Sequence, residues 1–442
     1  MYYKDLQNTN KNKKYLLEYL VGFIVTFVSL CFSIHLFSTL MFVAIIFCLV
    51  LLVFIVRLLR KEPVIFHKFD FLWIIFLLMV LISKNKQYSW TEVFFVIAGI
   101  TLMFLFRNNS KCYTGIIHAI VCFSLLNIAA NILSLVSNSL FSSLISALKI
   151  TNFEAHESGS FTGLASGTSR NASLIAVGLS AFFSLMFVHK KRSFFVLFVL
   201  CGLSALFILA TGKLGHTLSI YLALLIFVYS SGKTRQKRIK ALFFFIILSV
   251  LLVISVFILF PSSRYILIHT LEKSGGQDIS SGRLKIWATA INLFKDNPIF
   301  GIGYGSFTVF SSKSLSATYA GVHNDYIQWL CELGLFGFTI NMILAVVSLT
   351  KTVILFRKYI SNPYEKRNFI FVCWSFFFQL FFLFYSFTGI PHYSYDLCTI
   401  YYLACGVPFC VDYGEKKSHQ SQEYEFDLAF NKTSNYARTS LN

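Results

Sequence analysis

The residues able to do chemistry gather in one stretch of an otherwise apolar chain. From Ser281 it reads SGRLKIWATAINLFKDNPIFGIGYGSF, and up to Phe338 it closes HNDYIQWLCELGLFGF. His323, near the end of this stretch, can accept a proton when neutral, which is the task of a general base. Arg283, near its start, carries a fork of donors that holds phosphate by two hydrogen bonds at once. Lys213 in ATGKLGHTL and Arg170 in SGTSRNASL add two further cations. Cations converging on one pocket suit a pyrophosphate. Glu332 lies within an apolar run, where an ionisable residue has a partner or a role. Each has a plainer reading as well: His323 as a hydrogen-bonding residue at a membrane edge, Arg283 as a solvated arginine, Lys213 and Arg170 as snorkelling side chains. His118, Asn127, Asn131 and Gln379 fall inside apolar runs and read as groups that hydrogen-bond between helices.

The elements that must position these residues are membrane helices. Of 442 residues, 56% are hydrophobic and 18% aromatic, which excludes an ordinary soluble fold. The apolar residues come in runs of roughly 17–25, the length that crosses a bilayer as helix. The fold class is an all-α polytopic membrane protein. About twelve spans are expected, near 16–34, 37–57, 69–83, 91–106, 113–137, 171–189, 193–211, 215–230, 241–261, 325–350, 369–388 and 395–411. A polar stretch, about 138–169, and a long loop, about 262–323, interrupt them. Residues 1–14 form a polar, basic leading segment, 15–411 a single transmembrane domain, and 412–442 a polar tail expected to be disordered.

The net charge of +19 suggests nucleic acid only in a soluble protein. Here the cations sort by loop. Arg57, Arg60, Lys61 and Lys68 follow the second span, Arg107 and Lys111 the fourth, and Lys190, Lys191 and Arg192 the sixth. Lys233, Arg235, Lys237, Arg238 and Lys240 follow the eighth, and Lys351, Arg357, Lys358, Lys366 and Arg367 the tenth. The positive-inside rule then places both termini in the cytoplasm and the two long polar stretches outside. Cys31, Cys48, Cys122, Cys201, Cys373 and Cys405 sit in apolar runs as small hydrophobes. No CxxC or Cys/His cluster suggests a metal, so no cofactor is expected. No internal repeat supports a transporter.

Within the polar stretch, Ser280 to Pro298 reads as a helix on the membrane surface. Ser280 or Ser281 would cap it, Pro298 would end it, and Leu284, Trp287, Ile291 and Phe294 would form its apolar stripe. The run Gly301-Ile302-Gly303-Tyr304-Gly305 lacks the strand and helix of a nucleotide site and reads as a tight turn. His323 precedes a helix that Asn324 or Asp325 can cap. Gly334 and Gly337 allow close packing.

With these motifs in view, the chain resembles the family of O-antigen ligases and Wzy-type polymerases of bacterial envelopes. That family's signature is a histidine, then Asn, Ser or Gln, nine residues, and Gly-x-x-Gly. His323-Asn324, nine residues, and Gly334-Leu335-Phe336-Gly337 match it. Ser281, Gly282, Arg283, Trp287, Pro298, Gly301 and Gly303 match its upstream pattern. Gly212-Lys213 resembles a third block, with Lys where the family carries Arg. The resemblance covers the second half of the chain. It implies a helical, GT-C-like, metal-independent inverting glycosyltransferase. The donor would be a glycan on undecaprenyl pyrophosphate. Arg283, Lys213 and Arg170 would hold the pyrophosphate and His323 would be the base, with Asn324 and Glu332 supporting. First choice is a polymerase of repeat units for a capsule, exopolysaccharide or O-antigen. Second is a ligase moving a finished glycan to lipid A core or another acceptor. A flippase is third, because a transporter sets its polar site at the bilayer midplane. The expected setting is the bacterial plasma membrane, with the bilayer, the lipid-linked glycan, a flippase and chain-length regulators as partners, and no nucleic acid.

Overall fold

The computed structural model describes residues 2–36, 38–61, 66–82, 90–148, 150, 161–188, 192–259, 282–315, 321–361 and 366–414. The apolar runs are helices, as runs of this length must be where water cannot satisfy a bare backbone. In chain order they are α1 (Tyr2–Cys31), α2 (Thr39–Leu59), α3 (Asp70–Ile82), α4 (Thr91–Phe106), α5 (Ser110–Val136), α6 (Asn138–Ala147), α7 (Thr168–Met186), α8 (Arg192–Ala210), α9 (Leu214–Ser231) and α10 (Arg235–Leu259). Then come α11 (Arg283–Asp296), α12 (Phe307–Leu315), α13 (Asp325–Ser361), α14 (Lys366–Tyr385) and α15 (Tyr395–Gly414). There is no strand among the described residues.

Each of the twelve expected spans coincides with a helix. Nine of these helices are long and apolar enough to cross a membrane. α3 and α4 are shorter, and α7 opens with a polar turn, Thr168 to Asn171. The stretch 138–169 departs from expectation, because α6 lies within it and buries Phe141 and Ile145. Serines at 137, 139, 142, 143 and 146 hid that short apolar period. The tail beyond residue 414 lies outside the described residues.

α14 and α15 are the most buried spans and α10 the least. Trp374, Phe377, Phe378, Phe381, Phe382, Tyr401 and Tyr402 are sealed inside. Polar residues in the spans pair between helices, as expected. Asn127 of α5 bonds Asn171 of α7 over 2.8 Å, Asn171 bonds Asn131 over 2.9 Å, and Gln379 of α14 bonds Thr352 of α13 over 3.0 Å. His118 of α5 meets Tyr19 of α1 at 3.0 Å.

The bundle has two chemically distinct ends. At one, Arg107 grips Asp70 with two bonds of 2.8 and 2.7 Å, and Arg60 lies 3.9 Å from Glu18. The other, the site end, joins the end of α1 to the starts of α7, α13 and α15. There Ser166 N–H donates to Ser33 O (3.1 Å) and Asp325 N–H to Ser386 O (2.9 Å).

α13 is broken at Gly334, whose φ of 65° and ψ of −172° lie in a region that only glycine occupies readily. A Cβ there would stand 2.3 Å from the Ile299 carbonyl. Gly334→Ala should therefore lower the melting temperature of the purified protein. The backbone alone costs about 1–3 kcal/mol. Gly202→Ala, with nothing within 4 Å of the added atom, should leave melting unchanged.

Candidate functional site

The site grows from the break in α13. A continuous helix would bond Leu335 N–H to Cys331 O and Phe336 N–H to Glu332 O. At the break all four groups lose those partners, and buried backbone groups must find others. The glycine-rich segment supplies them. Ile302 N–H donates to Cys331 O (3.0 Å) and Gly303 N–H to Glu332 O (2.9 Å). Pro298 O accepts from Leu335 N–H (2.8 Å) and Ile299 O from Phe336 N–H (3.2 Å). A Cβ at Gly301 would stand 2.5 Å from Glu332 O, so the two glycine motifs are halves of one joint.

Glu332 locks the joint. Its carboxylate is fully buried and accepts from Gly305 N–H (2.8 Å), Phe307 N–H (3.0 Å) and Gln328 Nε2 (3.3 Å). The Tyr393 hydroxyl is a fourth donor. Its partners are thus loop amides and a tyrosine from beyond α14.

α11 lies against this joint. Ile286 and Ala290, with Trp287 and Leu293 beside them, pack on Phe307, Val322 and Cys331. The expected stripe is split: Trp287 joins the packed face, while Leu284 and Ile291 are exposed. The cap expected at Ser280 or Ser281 lies outside the described residues, and Gly282 (φ 83°) holds the N-cap position. Asn297 is the C-cap, directly before Pro298.

His323 is presented by a braced turn. Trp287 Nε1 donates to Val322 O (3.0 Å), and Val322 N–H donates to Gln328 Oε1 (3.0 Å). His323 itself takes a left-handed φ of 57°, rare for a residue with a side chain. Asn324 Oδ1 then caps α13 by accepting from Ile327 N–H (3.1 Å). The imidazole reaches the surface. Its crowded surroundings, and then the charge of Arg283, hold its pKa below the ordinary 6.5. Arg283, in the first turn of α11, is half-buried and acts directly on His323.

Arg283 also lines a cavity of about 620 Å³ between α8, α9 and α10. Leu209, Leu214, Leu218, Tyr221, Phe245 and Val253 make its walls apolar, and Arg283 is the one charged residue in its described lining. Lys213 is the half-buried N-cap of α9, directly before the cavity residues Leu214 and Gly215. Arg170 faces a different set of residues. Its guanidinium bonds Ser166 Oγ (3.0 Å), lies 5.8 Å from the Phe32 ring, and acts on His35.

Two features escaped the sequence reading. Asp325, buried, accepts from Ser386 Oγ (3.0 Å) and from His392 Nδ1 (2.8 Å). Burial holds the His392 pKa down, and Asp325 partly offsets it. Tyr385 hydrogen-bonds Ser169, packs its ring 4.0 Å from that of His216 at a tilt of 36°, and lies within electrostatic reach of Arg283 and Asp396. These partners are hundreds of residues apart or on separate helices. The only signal was the polar run HYSYD between two apolar spans.

The fold and site define a polytopic membrane protein with a polar centre at one end of its helices. Residues 199–342 match the family model Wzy_C, described as O-antigen ligase. Over that segment, about a third of its length, the chain is similar to O-antigen ligases, and the segment holds Lys213, Arg283, His323, Asn324 and Glu332. No curated protein matches the chain.

Glu332→Gln replaces an acceptor of four donors with a group that presents its own N–H to them. Loosening of the joint by about 1–3 kcal/mol is expected. Limited proteolysis should cut the segment 298–307 faster in this variant than in the parent.

Proposed function

We propose that the protein joins lipid-linked oligosaccharide repeat units into a surface polysaccharide, acting on a glycan carried by undecaprenyl pyrophosphate. One observation carries the proposal. Arg283 stands both beside His323 and in the lining of an apolar cavity, so one cation links a candidate base to a lipid-sized groove. Such a cavity accommodates part of a polyprenyl tail, with its diphosphate against Arg283 and Lys213. α10, the least buried span, forms its outer wall, so a lipid could enter sideways.

In the reaction, the bond from the sugar C1 to the diphosphate oxygen breaks as negative charge grows on that oxygen. Arg283 and Lys213 stabilise the growing charge more than they stabilise the bound donor. The acceptor hydroxyl attacks C1 from the opposite face, inverting it, and its proton passes to neutral His323. The depressed pKa keeps His323 in the form that can accept it. Arg170 is held beside Ser166, Phe32 and His35, apart from the described lining of this cavity. The positive-inside sorting of Lys and Arg turns the site outward, to the side where lipid-linked glycans await assembly.

The family description favours a second reading, a ligase that moves a finished glycan to another acceptor. Product analysis separates the two: a ladder on the carrier lipid marks a polymerase, and a glycan on a different acceptor marks a ligase.

His323→Ala and Arg283→Ala should each abolish product while the protein stays in the membrane. Lys213→Arg should retain more activity than Lys213→Ala. Product of normal length in the His323 variant would sink the assignment.

The pH profile tests the base. Protonation disables it, so activity should be lost as pH falls through a His323 pKa lying below 6.5. Removing the neighbouring positive charge makes protonation easier. The acid limb of the residual activity of Arg283→Gln should therefore move to higher pH.

A further inference from the structure

We infer that the site end holds a second anion site, built on Arg170 and His35, which takes the diphosphate head of a second carrier lipid, that of the acceptor. This rests on the reading of the protein as a transferase between lipid-linked glycans.

The arrangement around His323 is repeated there. Among the described residues three non-glycine residues have positive φ: His35 (55°), Lys61 (52°) and His323 (57°). Both histidines belong to turns at the site end, and backbone of this kind persists where the surroundings over-determine it, often at ligand clamps. Each histidine has one arginine acting on it, Arg170 for His35 and Arg283 for His323. Each arginine lies in the first turn of its helix, where free backbone amides also favour an anion.

Arg170 has donors to spare. A guanidinium carries five N–H groups. The bond to Ser166 Oγ uses one of them, and the side chain stays half-exposed. Asp396, a negative charge within reach of His35, opposes an anion. Its oxygens are engaged by the hydroxyls of Ser33 and Ser394, which tie it to the end of α1 and the start of α15. Those bonds turn its oxygens toward the two serines, while the guanidinium of Arg170 is the group there that can meet an anion.

Tyr385 connects the surroundings of the two arginines. Tyr385 hydrogen-bonds Ser169, the neighbour of Arg170, and feels both Arg283 and Asp396. An acceptor head held at the same end as the donor head would keep the glycan that carries the attacking hydroxyl tethered within reach of the donor C1, much of what a two-substrate reaction needs. The family segment 199–342 contains Arg283 and His323 but neither Arg170 nor His35. A site outside the shared segment suits the partner whose identity differs from protein to protein, the acceptor.

The test is the stoichiometry of undecaprenyl pyrophosphate on the purified full chain in detergent, read by native mass spectrometry. Two equivalents are expected for the parent and one for both Arg170→Gln and Arg283→Gln. His35→Gly keeps the positive φ without the imidazole and should weaken the second equivalent about tenfold, the loss of one charge-assisted contact. It serves as the decisive variant if Arg170→Gln melts early. One equivalent in the parent, removed by Arg283→Gln alone, would overturn the second site and leave the transferase reading intact. Two equivalents unchanged in both the Arg170 and His35 variants would overturn it as well. Phosphatidylglycerol displacing the second equivalent at equal concentration would assign the place to bilayer phospholipid instead. No binding at all would remove the transferase reading itself.

Discussion

The break in α13 is the constraint on which the rest of the site depends. Two helical hydrogen bonds are given up there, and the segment 298–303 takes all four of their groups. No apolar side chain could do this, because an unmet buried amide or carbonyl costs about as much as the bond it lost. Glu332 adds a buried carboxylate, tolerable only because four donors surround it. Three of those donors belong to the glycine-rich segment and to Tyr393, so the buried side chain fixes elements that share no helix. α11 then has one position it can take. Through Trp287 that position sets the turn carrying His323, and through its first turn it sets Arg283.

The electrostatics follow from this frame. Arg283 is close enough to His323 to disfavour imidazolium, yet it also borders an apolar cavity. A cation in that place cannot be matched by the cavity walls. On the proposed reading, a lipid with a charged head would meet both surfaces at once. Asp325 and His392 form a separate buried pair that fastens the α14–α15 connection to the first turn of α13. Their polar atoms answer to each other, and His323 is left to answer to Arg283.

Much of this was legible beforehand. Helix period and length placed a helix at each of the expected spans, since a bilayer demands roughly twenty apolar residues in a row, though the helix expected at 325–350 runs on to Ser361. His323, Asn324, Arg283 and Glu332 stood out as polar residues in apolar surroundings, and Asn324 does cap its helix. The glycines at 301, 303 and 334 were read as turn and packing residues; the structure shows them as one interlocking joint. α6 was hidden because its serines broke the apolar pattern. Tyr385 carried no local signal and His392 only the short polar run HYSYD, because a tyrosine at a span end and a histidine in a short connection are ordinary.

By itself, then, the sequence determined a helical membrane bundle, the sorting of its cations and the residue types available for phosphate and proton chemistry. These are properties of composition and of short-range period, which a chain carries before it folds. Tertiary structure alone decided which of those residues meet. It paired Arg283 with His323 across forty residues of chain and opened the cavity beside it. It also set Arg170 against His35, across more than a hundred residues of chain. Such pairings depend on the break at Gly334 and on helix contacts between distant segments, and spacing along a single chain does not encode which side chains those contacts bring face to face.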